Sequence, residues 1–262
     1  MTVKFEKLLD ILRAMASVIL AYSGGVDSTF LLKAIKESGI TSLAVTSHSE
    51  TMPESEFRAA CEIARNIGVT HITIQTAELE NSNFSNNPPD RCFYCKDELF
   101  GKLKALAAEK GFRHVIDGSN QDDLSDWRPG RQAAAKHGVR SPLIEASFTK
   151  AEIREHSRLL GLSTWEKPAS PCLSSRFPYG VKITKEGLQR VEKAEEFLKA
   201  HGFGELRVRS SGDSARIEIN AEKMALFTEK EFRETTVNLM KGLGFRYITL
   251  DLEGFRSGNL NT

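Results

Sequence analysis

The feature that most constrains this chain is a series of short, largely apolar strands separated by segments of helical periodicity. Residues 17–22 (SVILAY) form a continuous run of this kind, closed by Ser23-Gly24-Gly25. A strand without polar alternation is buried on both faces, as in a parallel sheet covered by helices. A helix over 28–38 follows, with Phe30, Leu31, Leu32, Ala34 and Ile35 apolar and Gly39 as its stop. Residues 42–47 read as a second strand. A helix opens at Pro53, runs to Asn66 and ends at Gly68, and 71–75 read as a third strand. Ahead of them, 3–16 have helical spacing, with Phe5, Leu8, Leu9 and Leu12 on one face. The β-α-β-α-β order predicts an α/β fold built on a doubly wound parallel sheet.

The pattern continues with a polar loop over 81–90, a helix over 95–110 and a strand over 114–118. Residues 121–142 are irregular apart from a helix at 131–137. Thr149 and Glu152 have capping-box spacing at the start of a helix to 160. Residues 163–182 carry Pro168, Pro171 and Pro178 and read as a long functional loop or linker. Beyond Ile183 the rhythm changes. Helices are expected over 184–200 and 230–243, and strands over 205–210, 215–220 and 246–250. The expected organisation is a first domain over 1–170 and a smaller α+β domain over 171–262. With 262 residues the chain can build its core without disulfides. Lys+Arg is 36 and Asp+Glu is 35, so nucleic-acid binding by bulk charge is not expected. The apolar run Met15 to Tyr22 is too short for a bilayer and lies behind charged residues. A cytoplasmic protein without a membrane partner is expected.

The string SGGVDS, Ser23 to Ser28, sits between the first strand and its helix. Two glycines let backbone N–H groups approach an anion closely, and the helix N-terminus behind them adds dipole and donors. Ser23 and Ser28 offer hydroxyls. Asp27 is an acid beside an anion site, which makes sense if a divalent cation bridges it to phosphate. With a lone Gly-Gly pair, an ordinary strand-to-helix turn would be preferred. The full string resembles the PP-loop of ATP pyrophosphatases. That resemblance implies ATP and Mg²⁺, cleavage between the α- and β-phosphates, and adenylylation of a substrate oxygen. No GxxxxGK[ST] string is present, which excludes the kinase-type loop. Asp117 to Gly130 resembles a second nucleotide-side motif, with Asp122, Asp126 and Arg128 as an expected metal-and-phosphate set; read alone, DGSN is only a turn.

Cys92 and Cys95 form a CxxC at an expected loop-to-helix junction, and Cys172 lies far along the chain. Cys61 sits in helical apolar spacing and reads as core. Three thiolates suit a [4Fe–4S] cluster with one iron left open. Other readings are zinc, a redox disulfide, or a persulfide at Cys172, and the motif alone weighs cluster or metal evenly against thiol chemistry. The segments Ser174 to Gly180, Arg207 to Arg209, Ala215 to Glu218 and Asp251 to Gly258 resemble the LarE family of ATP-dependent sulfur transferases over nearly the whole chain. The resemblance implies adenylylation of the carboxylates of a pyridinium mononucleotide and installation of sulfur, on the way to the nickel-pincer cofactor of lactate racemase. One subtype sacrifices a single cysteine before SSRF; the other carries three cysteines and a [4Fe–4S] cluster. Here Pro171 stands at the sacrificial position, which favours the cluster subtype with Cys92, Cys95 and Cys172 as ligands. Carried over by position, Ser175 and Arg176 line the active site with Cys172 and Asp27, and Glu195 projects from the next helix. Arg207 and Arg209 are two apart on a strand and share a face, which suits a substrate phosphate with Glu218 steadying them. Without the resemblance, a surface charge pair would be preferred. The resemblance also implies a homo-oligomer, a hexamer with sites shared between subunits.

The competing reading is a PP-loop tRNA thiolation enzyme, which also joins such a loop to cysteines; near-neutral charge counts against it. An amide-forming synthetase would not need the cysteines. An ATP-binding iron–sulfur sensor would release no pyrophosphate.

Overall fold

The computed structural model describes residues 2–125 and 128–256, so Asp126 and Gly258 lie outside the described residues. In chain order the elements are α1 (Val3–Met15), β1 (Ser17–Ala21), α2 (Val26–Ser38), β2 (Thr41–His48), α3 (Glu54–Ile67) and β3 (His71–Gln75). Next come α4 (Ser82–Ser85), α5 (Arg91–Lys110), β4 (His114–Ile116), α6 (Pro129–Lys136), α7 (Pro142–Glu145) and α8 (Lys150–Leu159). The chain ends with α9 (Lys185–Ala200), β5 (Leu206–Ser211), β6 (Ser214–Ile219), α10 (Lys230–Gly242) and β7 (Tyr247–Leu250). Among the described residues no helix is long and apolar enough to cross a membrane.

The chain divides into two compact units. The first joins the residues up to Glu78 with Asp90–Ser170. Its sheet has the order β3-β2-β1-β4 and is parallel throughout. Alternate residues of β1 serve opposite faces. Val18 and Leu20 join a core with Leu8, Leu12, Phe30, Leu31 and Phe148. Ile19 joins Val45, Val115, Phe100, Leu103 and Ala133 on the other side. Helices therefore cover both faces, which is why β1 and the middle of β2 are buried and largely apolar. The strand order reverses between β1 and β4, and loops leaving the carboxyl ends of such a pair frame a crevice. The SGGVDS loop follows β1 and the Asp117-Gly118 turn follows β4. They meet: a Cβ placed on Gly118 would lie 3.0 Å from the Ser28 nitrogen.

Two helix starts differ from expectation. Helix α2 begins at Val26 with Gly25 as its N-cap, so Asp27 and Ser28 stand in its first turn. Helix α5 begins at Arg91, which puts the whole CxxC inside the helix rather than at its mouth. Its buried apolar positions start at Leu99, so the first turns carried no periodic signal. The capping box of α8 forms as expected, with Thr149 and Glu152 bonded reciprocally.

The second unit joins Leu79–Pro89 with the chain from Pro171 onward. Its sheet runs β5-β6-β7, antiparallel between β5 and β6 and parallel between β6 and β7. Leu206, Val208, Ala215, Ile217 and Ile219 pack on Ala194, Leu198, Phe203, Met240 and Phe245. Residues 79–89 fall outside the first unit, unlike the expected span 1–170. The cause is long-range bonding. The fully buried Asn87 side chain donates to the carbonyls of Phe177 (3.2 Å) and Pro178 (2.7 Å). Gly180 and Ile183 N–H groups donate to the carbonyls of Asn87 and Ser85. Local polarity cannot reveal such partners.

Candidate functional site

In the first unit, Gly24 has φ +70°, and a Cβ there would lie 2.6 Å from the Ala60 Cβ. That turn brings the chain onto α2, whose N-cap Gly25 supplies no side-chain bond to the first-turn amides. The Ser23 and Ser28 hydroxyls stand 3.1 Å apart beside them. The result is a concentration of N–H and O–H donors at the positive end of a helix, suited to phosphate. Ser23, Gly24, Gly25, Asp27 and Ser28 are thus brought together as one structure.

Asp27 is surrounded by partners. Its Oδ2 lies 2.5 Å from Lys150 Nζ, and its Oδ1 accepts from Asn120 Nδ2 at 3.3 Å. The Lys150 ammonium thus offsets the charge of this carboxylate. Asp122 accepts from the Lys150 backbone N–H at 2.9 Å, at the N-terminus of α8. Arg128 pairs with Asp123 at 2.9 Å. Asp122 and Arg128, expected as a metal-and-phosphate set, therefore hold the turn that follows β4. A second lysine reaches the loop: Lys167 Nζ donates to the Gly24 carbonyl at 3.1 Å and pairs with Glu56 at 2.7 Å. Arg154 fixes the segment that carries it by donating to the carbonyls of Trp165 (2.5 Å) and Lys167 (2.9 Å).

In the second unit, Cys172 is the N-cap of a 3₁₀ turn over Leu173–Arg176. Arg176 is 2% exposed and forms a two-point pair with Glu195, at 2.8 Å on both arms. Its third nitrogen donates to the carbonyls of Pro171 (2.7 Å) and Cys172 (3.1 Å) and to Ser175 Oγ (2.9 Å). Glu195 also accepts from the Val208 N–H. Arg176 and Glu195 are thus interior groups that fix the cysteine-bearing turn from behind.

Arg207 and Arg209 share one face of β5, opposite Glu218 and Arg216 of β6. Glu218 is fully buried and is bonded by both Arg209 and Arg216 at 3.0 Å. Arg209 also donates to the Ser175 carbonyl at 2.7 Å. Arg207 stands over the Phe255 ring. Burial, then repulsion from Arg176, lowers its pKa to about 10, and it stays protonated at neutral pH. The same face opens into a cavity of about 530 Å³ lined by Pro178, Tyr179, Arg209, Ser211, Ser214, Arg216 and Thr249.

Cys92 is exposed and Cys95 half-buried, and their spacing puts both on one side of α5. Cys61 is half-buried rather than core; the buried residues of α3 are Ala60 and Ala64. Cys92 and Cys95 belong to the first unit and Cys172 to the second. Among the described residues no group of three or more His, Cys, Asp or Glu side chains is arranged to hold a metal.

No family model matches the chain. It is 38% identical over 262 residues to the pyridinium-3,5-bisthiocarboxylic acid mononucleotide synthase of Lactiplantibacillus plantarum, covering 98% of this chain and 94% of that protein. The chain belongs to the LarE family. It is also 46% identical over 259 residues to an uncharacterized protein of Synechocystis, covering 98% of this chain and 97% of the relative. A third relative, an uncharacterized protein of Methanocaldococcus jannaschii, is 31% identical over 241 residues, covering 92% and 91%.

Reading this LarE-family sequence alone missed Lys150 and Lys167. Lys150 follows the helix cap Thr149, and Lys167 precedes Pro168 in a loop. Neither lies in a motif. Only the fold brings their ammonium groups to Asp27 and Gly24.

Proposed function

We propose that this protein uses ATP to convert carboxylates of a pyridinium mononucleotide into thiocarboxylates, a step in assembly of a nickel-pincer cofactor. The observation that carries this reading is end-to-end similarity to a synthase whose product is a bisthiocarboxylic acid mononucleotide. A carboxylate exchanges oxygen for sulfur only after its oxygen becomes a leaving group. Its oxygen attacks the α-phosphorus, the bond to the β-phosphate breaks, and pyrophosphate departs. A sulfur nucleophile then adds to the acyl carbon, and AMP leaves with the oxygen. The SGGVDS amides and hydroxyls would hold the phosphates, and Asp27 the Mg²⁺ that offsets their charge. Arg207 would hold the phosphate of the mononucleotide. Arg209 would act with it, although its other bonds are to Glu218 and Ser175. The shared-site hexamer belongs to the same proposal.

A [4Fe–4S] cluster on Cys92, Cys95 and Cys172 would supply sulfide when bound. Of these three, Cys92 and Cys95 belong to the first unit and Cys172 to the second. Anaerobic reconstitution followed by iron and sulfide analysis tests it. Cys92→Ala, Cys95→Ala and Cys172→Ala are each expected to abolish iron binding and sulfur transfer while pyrophosphate release persists. Cys172 recovered as dehydroalanine after turnover would instead establish sacrifice of the residue.

The reaction itself is tested by incubating the protein with ATP, Mg²⁺ and a pyridinium-3,5-dicarboxylate mononucleotide. Substrate-dependent AMP and pyrophosphate are expected, with the mass gain of an oxygen-to-sulfur exchange. Pyrophosphate release stimulated by tRNA and not by the mononucleotide would favour the thiolation reading instead. Arg207→Ala is expected to raise the KM for the mononucleotide roughly tenfold, since a charge-assisted bond to phosphate contributes about 1.5–3 kcal/mol. The KM for ATP should stay within about twofold, because in this reading the SGGVDS amides and hydroxyls, not Arg207, hold its phosphates. Equal weakening of both ligands would remove Arg207 from substrate binding.

A further inference from the structure

We propose that Lys150 is a resident cation of the nucleotide loop. It pairs with Asp27 and moves to the triphosphate when a divalent ion takes its place on the carboxylate. The inference rests on the reading of SGGVDS as an ATP site and assigns that site a residue the motif does not contain.

The geometry is specific. Lys150 Nζ lies 2.5 Å from Asp27 Oδ2, while Asn120 holds the other oxygen. The Lys150 backbone is itself fixed, because its N–H donates to Asp122 Oδ2 and it opens α8 behind the Thr149–Glu152 capping box. The rigid backbone leaves one mobile part, a four-carbon stem with an ammonium at its tip. Its side chain is 37% exposed and that of Asp27 24% exposed, so solvent reaches the pair and the ammonium can leave. The other lysine of the loop differs. Lys167 is 19% exposed and is held between Glu56 and the Gly24 carbonyl, which fixes the loop rather than a ligand.

A carboxylate cannot hold an ammonium and a divalent ion at the same oxygen without strong repulsion. When Mg²⁺ arrives with ATP, the ammonium is displaced beside newly placed phosphate oxygens. The positive charge that stabilised Asp27 then stabilises the triphosphate, where negative charge grows as pyrophosphate departs. Without nucleotide, the same lysine keeps metal off the loop. Metal and ATP therefore enter together.

The test separates the two states. Mn²⁺ binding is measured by electron paramagnetic resonance without nucleotide, and Mg·ATP binding by calorimetry. Lys150→Met is expected to bind Mn²⁺ roughly tenfold more tightly than wild type and Mg·ATP roughly tenfold more weakly. Lys150→Arg retains the charge and should exclude Mn²⁺ as wild type does. Thermal unfolding confirms that each variant is folded. If Asp27→Asn abolishes Mn²⁺ and Mg·ATP binding but Lys150→Met leaves both unchanged, the exchange is wrong and the site stands. Unchanged Mg·ATP binding in Asp27→Asn as well would overturn the nucleotide reading. Weaker Mn²⁺ binding in Lys150→Met would make the lysine a support of the carboxylate and overturn the exchange.

Discussion

Arg176→Met is expected to destabilise the second unit by about 3–5 kcal/mol, because it leaves the Glu195 carboxylate buried without its counter-charge. Arg176 is 2% exposed and Glu195 likewise. The guanidinium meets the carboxylate at two points and holds two further carbonyls. Glu195→Leu should cost a similar amount by stranding the cation. The double variant Arg176→Met with Glu195→Leu should recover much of the loss, since an apolar pair of comparable volume avoids the desolvation of both charges. Hydrogen exchange at β5 and α9 would report these changes without requiring the whole chain to unfold in one step. Single variants costing under about 1 kcal/mol would mean that water reaches the pair. The double variant also separates stability from function. It lacks the donors to the Pro171 and Cys172 carbonyls, so under the proposed reaction sulfur transfer should fall while pyrophosphate release continues.

Legibility from sequence followed the range of the interactions. The strands β1 and β2 could be read because a run buried on both faces leaves little choice of residue, and β3, at the sheet edge, because Ile72 and Ile74 alternate with polar residues. The SGGVDS loop could be read because its turn, its helix N-terminus and its hydroxyls are contiguous. Gly39 and Gly68 marked helix ends because each takes the left-handed conformation there. Three features could not be read, for one physical reason. The transfer of residues 79–89 to the second unit rests on Asn87 bonding to residues about ninety positions away. The seating of Lys150 on Asp27 spans 123 positions. The closure of Arg176 on Glu195 depends on a helix packing against a turn, and the same string would suit an exposed substrate-facing arginine. Charge type and spacing give chemical capacity. Burial decides whether that capacity faces a ligand or the interior.

Gly24→Ala is expected to weaken ATP binding more than roughly tenfold while leaving the chain folded. Two independent costs converge at this position. With φ +70°, an alanine takes the left-handed conformation at about 1–2 kcal/mol. Its Cβ would also lie 2.6 Å from the Ala60 Cβ and 2.9 Å from the Ala60 Cα, and the latter is backbone that a rotamer change cannot move. Ala60 is fully buried on α3, so the loop must yield rather than the helix. A displaced loop loses the Lys167 bond to the Gly24 carbonyl and turns the first amides of α2 away from the proposed phosphate position. Ala60→Gly in the same protein removes the Cβ overlap but neither the 2.9 Å approach to the Cα of residue 60 nor the φ cost, so the double variant should regain only part of the affinity. Calorimetry with a non-hydrolysable ATP analogue measures both. Full affinity in Gly24→Ala would show that the triphosphate does not depend on this turn. Full recovery in the double variant would show that the Cβ–Cβ overlap alone displaces the loop.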